Sequence, residues 1–481
     1  MDQEETGQPL TGEARLAAYL DAIAGVLGHA RRAAAARAYC TGLLLPGERK
    51  SIEPMAARLD PIHVQAKHQS LHHVVAQADW ADAAVLAAVR AQVLPAIERQ
   101  GPVLYWIVDD TSFPKQGTHA VQGVARQDCG QLGKQDNCQV AVSLSVANDH
   151  ASLPIAYRLF LPEAWAEDPV RRAKAGVPEE VSFETKTAIA LGQIRQARKA
   201  GVPEGVVLGD AAYGNETAFR VGVSALALRY VLGVQSSTSV WPPGMAPLPP
   251  PAYRGRGRPP SLLRRSLEHQ PVSLKKLALS LPARAWCEIS WREGRRTALA
   301  SRFAALRVRP AHRDICRSEP WPEEWLLIEW PKDEAEPTKY WLSNLPPATT
   351  RKQLVHTAKA RWIIERDDQE LKQEIGLGHY EGRGWRGFHH HASLCIAAYG
   401  FLVAERCLFP PQHRFPRARI RAPALPQGFQ PRGAPDPTGA SRPTLHRLRP
   451  TLPDGRSRRR SAKMPVLLAK TAAFHNGNLT Q

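Results

Sequence analysis

Tyr105-Trp106-Ile107-Val108-Asp109-Asp110-Thr111 is an apolar, β-prone run that stops at two acids. A second such run, Val206-Val207-Leu208-Gly209-Asp210, stops at one. A third carboxylate, Glu365, lies in Arg361-Trp362-Ile363-Ile364-Glu365, which has helical composition. Short apolar runs closed by polar residues read as buried strands. Acids at the ends of such strands lie where open α/β sheets bind their ligands.

Composition sets the frame for those acids. A chain of 481 residues has room for about three domains of ~150 residues each. Its 43% hydrophobic content supports a sizeable core. The formal net charge of +19 argues for a polyanionic partner, because Lys and Arg that neutralise phosphates release counterions. Nucleic acid is therefore preferred over a merely basic soluble protein. Seven scattered cysteines without a C-x-x-C pair fit a reducing compartment, and argue against a disulfide framework or a structural zinc site. The acidic opening Met1-Asp2-Gln3-Glu4-Glu5 is unlike a signal peptide, and no apolar run approaches the ~20 residues that span a bilayer. A cytoplasmic protein without a membrane partner is expected.

The chain divides by pattern. Residues 1–98 read as a helical N-terminal region, with Leu16, Leu20, Ile23 and Leu27 at helical spacing, either a module for binding DNA ends or an ordinary bundle with a solvated basic face. Residues 99–235 read as the first part of an α/β core: strands at 103–108, 138–146 and 153–161, a helix at 184–200, a strand at 206–208, a helix at 216–228 and a strand at 230–234. That order matches a ribonuclease-H-like core, in which Asp110 and Asp210 would end adjacent strands. Residues 236–345 open with a proline-rich linker and the basic stretch Arg254–Pro260, then show four aromatic-rich strand patterns, and read as a β-rich insertion. Residues 346–408 return to the core with helices at 354–376 and 389–407. Residues 409–481, rich in Pro and Arg, read as a disordered tail.

The chemistry follows from the acids. Phosphoryl transfer between nucleic-acid strands is served by two hard cations ~4 Å apart, and Mg²⁺ takes carboxylate oxygens while keeping waters. Asp110, Asp210 and Glu365 form the expected ligand set, with Asp109 as neighbour or alternative ligand. Taken singly, each acid is more economically a cap or a solvated residue; the case rests on their order. Arg361, Glu365 and Lys372, at intervals of four and seven, share one helical face, so the Glu could ligate while the cations hold phosphate. An Arg361–Glu365 surface ion pair is the plainer reading of that face. Lys115, Arg126 and Lys134 are candidate phosphate contacts. Arg256 and Arg258, in Arg256-Gly257-Arg258-Pro259, suit either an arm entering A·T-rich minor grooves or a flexible basic linker. His389, His390 and His391 point in different directions on a helix and cannot share one ion, so packing and DNA contacts are expected of them.

Longer strings carry a family resemblance across about residues 30 to 408. They are Val108-Asp109-Asp110-Thr111-Ser112-Phe113-Pro114-Lys115-Gln116-Gly117, Gly130-Gln131-Leu132-Gly133-Lys134-Gln135-Asp136-Asn137-Cys138-Gln139, Leu161-Pro162-Glu163-Ala164-Trp165, Leu208-Gly209-Asp210-Ala211-Ala212-Tyr213-Gly214 and Gly376-Leu377-Gly378-His379-Tyr380-Glu381-Gly382-Arg383. The sequence resembles the IS701 group of DDE transposases, related to the IS4 group. The resemblance implies a ribonuclease-H-like core interrupted by a β-rich insertion, and two Mg²⁺ ions with Mn²⁺ as a substitute. It also implies double-stranded DNA partners (terminal inverted repeats and target DNA) and a dimer in the DNA complex. The Asp-Thr step favours Asp110 as the first ligand. Arg361, Glu365 and Lys372 match the last positions of a Tyr, Arg, Glu, Lys signature; Ala358 departs from its Tyr, which bears on a hairpin intermediate. Two other readings stay open: an inactive DNA-binding relic or repressor of the same element, and a nuclease without strand transfer.

Overall fold

The computed structural model describes residues 11–115, 122–255, 257–293 and 298–410, all within one compact unit. Arg256, Gly117 and the tail beyond residue 410 lie outside the described residues.

The N-terminal region forms five helices: α1 (Gly12–Gly25), α2 (Ala30–Leu44), α3 (Ile52–Leu59), α4 (Val64–His72), which runs into a π-helical turn at His73–Gln77, and α5 (Asp82–Gln100). Thr11 starts α1 by accepting a hydrogen bond from the Ala14 amide at 3.2 Å, satisfying one of the orphan N–H groups of the first turn. Tyr19, Leu43, Met55 and Val89 are buried in one cluster with the last helix, Trp385–Leu408. Among the described residues no single helix is long and apolar enough to cross a membrane.

The core is a mixed α/β assembly around a large mixed sheet. Its first strands are β1 (Tyr105–Pro114), β2 (Ala125–Cys129), β3 (Lys134–Ala147) and β4 (Ser152–Leu159). Two short helices, α6 (Glu163–Ala166) and α7 (Pro169–Ala175), lead to α8 (Lys186–Lys199). Then come β5 (Val206–Gly209), α9 (Ala211–Gly214), α10 (Thr217–Ala225) and β6 (Tyr230–Val234). β1 pairs antiparallel with β3 over its whole length, but parallel with β5 only from Tyr105 to Ile107. The sequence pattern ended the first strand at the two acids. In the structure β3 carries it on to Pro114, so Asp109 and Asp110 lie inside a strand whose other edge is vacant where β5 turns away.

Residues 236–345 contribute β7 (Ser239–Trp241), β8 (Val272–Ser273), α11 (Leu274–Leu279), β9 (Cys287–Glu293), β10 (Ala298–Pro310), β11 (Glu324–Trp330) and β12 (Lys339–Ser343). The four aromatic-rich patterns became β9 to β12. They continue the core sheet, because β12 pairs antiparallel with β6, Trp341 opposite Gly233. Strand order among the described residues is β2-β3-β1-β5-β6-β12-β11-β10-β7-β8, with β4 beside β3 and β9 beside β10. β6 would otherwise present an unpaired edge, and β12 covers it.

The expected helix at 354–376 is broken into parts. α12 (Arg351–Lys359) opens with a capping box between Thr350 and Gln353. A break at Ala360-Arg361 precedes α13 (Trp362–Gln369), and a π-helical turn, Glu370–Ile375, ends at Gly376 with φ +92°. α14 (Trp385–Leu408) is almost wholly buried.

Backbone contact sets where Asp210 sits. An ideal Cβ on Gly214, the last residue of α9, would lie 1.9 Å from the Gly233 carbonyl oxygen of β6. Gly214→Ala is therefore expected to push α9 off the sheet and destabilise the protein by roughly 1–3 kcal/mol or more, read as a lowered urea midpoint.

Candidate active site

Strand alternation sorts the two neighbouring acids. Tyr105 and Ile107 pack with Leu208, Val231 and the α12 residues Leu354 and Val355. Trp106 and Val108 pack in the other cluster, with Ile189 and Ile194 of α8. Successive side chains on a strand face opposite ways, so Asp109 falls on the α12–α13 face and Asp110 on the α8 face. Leu208 shares the Ile107 face and stands opposite it in parallel register. β5 ends at Gly209, so Asp210 follows directly at the strand's C-terminal end, and its charge acts on the Asp109 carboxyl. Asp210 also caps α9, accepting from the Ala212 amide at 2.9 Å.

Each acid of the first strand has its own cation. The Arg361 guanidinium donates to Asp109 Oδ2 at 2.7 Å, and its other nitrogen lies 3.7 Å from Glu365. Lys186, the first residue of α8, donates to Asp110 Oδ2 at 2.5 Å. Burial pushes the Asp109 carboxyl up to about 7; the Asp368, Asp110 and Asp210 charges add to that and Arg361 opposes it. Burial likewise raises Asp368 to about 6, with Lys372, Thr111 and Arg361 opposing. Lys372 donates to the Ser112 carbonyl at 3.3 Å, and burial lowers its own pKa.

The expected acids come together unequally. Asp109 and Asp110 are neighbours on β1 facing opposite ways, and the charges of Asp110, Asp210 and Asp368 all act on the Asp109 carboxyl. The Glu365 side chain, 66% exposed, faces outward. Among the described residues, no three His, Cys, Asp or Glu side chains are close enough to one another to hold a metal ion. The donor chemistry nonetheless fits a hard divalent cation. The groups are all carboxylates, the Asp368, Asp110 and Asp210 charges push the Asp109 carboxyl up, and added positive charge would relieve that repulsion.

The remaining expected contacts divide by exposure. Arg126 and Lys134 are exposed on the β2–β3 hairpin, Lys134 at 3.2 Å from Asp136, and Arg258 is exposed. Lys115 turns inward and donates to the Tyr380 carbonyl at 2.9 Å. His389, His390 and His391 are all buried, which limits them to the packing role. His390 stacks on Trp80 with ring centroids 3.6 Å apart, and His391 meets the Tyr39 hydroxyl at 2.7 Å. Sequence reasoning missed Lys186 and Asp368. Asp368 lies seven residues after Arg361, and that spacing could have placed it on the same helical face; Lys186 carried no local signal.

The Asp109 shift has a definite pH signature. An acid with a raised folded-state pKa binds its proton more tightly when folded, so its stability contribution is full below pH 4 and declines as pH rises toward 7. Asp109→Asn removes that decline. Between pH 4 and pH 8, in chelator, the stability of Asp109→Asn relative to wild type is expected to improve by on the order of 2–4 kcal/mol. Urea unfolding at both pH values checks it, and an unchanged difference contradicts it.

Comparison with known proteins agrees with this geometry. The DDE superfamily endonuclease family matches residues 23–298, more than half of the chain, a stretch that holds Asp109, Asp110 and Asp210 and ends before Glu365. A relative from Microchaete diplosiphon, the probable transposase for insertion sequence element IS701, is 28% identical over 170 residues. That match covers 35% of this chain and 41% of the relative, so the chain spans about two fifths of the relative's length. With its first two aspartate strands inside the matched stretch and side by side in the sheet, the chain belongs to the DDE superfamily endonuclease family.

Proposed function

We propose that this chain is an IS701-type transposase, which binds the terminal inverted repeats of its own element and carries out strand cleavage and strand transfer on DNA. The observation that carries this reading is the parallel pairing of β1 with β5, which brings the strand of Asp109 beside the strand that Asp210 follows, with Arg361 reaching over from the last part of the core. That adjacency, with α8 crossing between β4 and β5, also supports a ribonuclease-H-like core.

The proposed ligand set is Asp210, one of the paired first-strand aspartates, and Glu365. The resemblance points to Asp110 for the first strand; the Asp210 charge acting on the Asp109 carboxyl, together with its Arg361 partner, supports Asp109. Two Mg²⁺ ions, with Mn²⁺ as substitute, would supply Lewis acidity at the attacking and leaving oxygens. Arg361 and Lys372 lie along the same site and would neutralise the scissile phosphate and its neighbour. Lys186 would hold the Asp110 carboxylate on the α8 face. In the first step a water oxygen attacks phosphorus, the bond to the 3′ oxygen breaks, and the 3′ oxygen leaves as a hydroxyl. In the second that hydroxyl attacks a target phosphorus in line, the target's bond to its own 3′ oxygen breaks, and that oxygen leaves as a hydroxyl. Two ends must be joined to one target, so a dimer in the DNA complex is proposed as well. Arg126, Lys134, Arg256 and Arg258 would contribute DNA contacts away from the acids.

The outward position of Glu365 favours a second reading, a DNA-binding chain of the same element that no longer cuts. Labelled duplexes carrying the element's ends, incubated with Mg²⁺, separate the two. The transposase reading expects cleavage and joining by wild type and a loss of at least about a hundredfold in Asp210→Ala. Binding without cleavage by either protein supports the second reading. Asp109→Asn and Asp110→Asn, compared in the same assay, assign the first-strand ligand to whichever abolishes cleavage. The double substitution Arg361→Ala with Lys372→Ala should lower the salt slope of end binding by about two, and an unchanged slope removes both from the DNA contact.

A further inference from the structure

Lys359, the last residue of α12, is a buried ammonium with an unusual set of neighbours. Its side chain is only 14% exposed. The Nζ atom lies 2.7 and 2.6 Å from the two carboxylate oxygens of Glu329. It also stands 4.2 Å from the ring centre of Trp291, 5.5 Å from Trp341 and 5.6 Å from Phe303. Each of the four comes from a different strand of the insertion: Trp291 from β9, Phe303 from β10, Glu329 from β11 and Trp341 from β12. Phe303 and Glu329 face each other directly across the β10–β11 pair.

Two residues later, Arg361 reaches the other way, to Asp109 of β1. The break between α12 and α13 is thus held by two oppositely directed ion pairs, one into the insertion and one into the catalytic core. Apolar side chains of the same volume in place of both Lys359 and Glu329 would fill the box at no loss of stability, because a buried ion pair seldom outperforms well-packed hydrophobic residues. What the charged group adds is direction. Three ring faces and a bidentate carboxylate fix the ammonium position in a way that a flexible apolar chain would not.

We propose that Lys359 is a positioning residue: the cage of Trp291, Phe303, Trp341 and Glu329 anchors the break before α13 to the insertion, and so sets where Arg361 and the carboxylates of α13 stand over Asp109 and Asp210. This rests on the transposase reading for its catalytic consequence, while its structural consequence stands apart from it. The insertion then serves as the fixed mount of the catalytic helix, and contacts made by its strands with DNA are felt at α13 through Lys359.

The test removes the charge and keeps the volume, with the double substitution Lys359→Met and Glu329→Gln, and reads backbone hydrogen exchange. Exchange over residues 360–372 is expected to rise at least about tenfold, with β1 and α14 unchanged and the unfolding midpoint near that of wild type. Cleavage of end DNA should fall at least about tenfold in kcat with its Kd for that DNA unchanged, and Lys359→Arg should retain most of both. Should the double variant fail to fold, Trp291→Ala, which opens one half-buried wall of the cage, takes its place with an expected rise of roughly threefold over the same residues. Exchange over 360–372 equal to wild type in the folded variant overturns the proposal. If the wild-type protein itself cleaves no end DNA, the transposase reading fails, and the exchange comparison still decides the role of Lys359.

Discussion

A carboxylate carried into the interior of a sheet needs a partner, and at Asp109 that partner arrives from 252 residues away. Burial and three neighbouring carboxylates hold the Asp109 proton tightly, and the Arg361 guanidinium is the group that makes the ionised form tolerable there. The ion pair does more than balance charge. It ties the first strand to the start of α13, and α13 carries Glu365 and Asp368. Lys186 does the same for Asp110 on the opposite face of the sheet. Two adjacent acids are thereby split between two faces, each against a cation from a different helix.

The insertion takes its meaning from this arrangement. Its strands do not fold away from the core; they extend the core sheet through the β6–β12 pair. One sheet therefore carries both the acids and the cage around Lys359, and α12 lies across it with Leu354 and Val355 packed against residues from both parts. Distances between the two halves of the site are set by strand spacing, which is among the stiffer rulers a protein has.

Much of this was legible in the chain, and what was not has physical reasons. The strands at 206–208 and 230–234 and the four aromatic runs of the insertion read correctly, because buried strands are short apolar runs with clear ends. The helices at 184–200 and 216–228 read correctly from composition and stop signals. The extent of β1 did not, since its acids look like a strand end and only the β3 partner reveals that pairing continues to Pro114. For the same reason the face of each acid was hidden: it depends on which neighbours the strand packs against. The helix break at Ala360-Arg361 carries no Gly or Pro, and the π-helical turn after Gln369 has ordinary helical composition. Lys186 is separated from Asp110 by 76 residues and looks like any first-turn lysine. The inward turn of Lys115 and the burial of the three histidines are tertiary facts, invisible where the local sequence is merely polar.

The pairing of Asp109 with Arg361 also imposes an order in time. A chain emerging from the ribosome exposes β1, β3, β4 and β5 long before residue 361 has been made, and elements near the N-terminus fold first. During that interval Asp109 has no guanidinium partner, and β1 gains nothing from its being ionised. Asp109 is then best kept protonated or left outside the sheet until the final hundred-odd residues arrive. Formation of the Asp109–Arg361 pair is in this way deferred to the end of synthesis, so a polypeptide interrupted anywhere in residues 236–345 carries its aspartates but neither Arg361 nor α13.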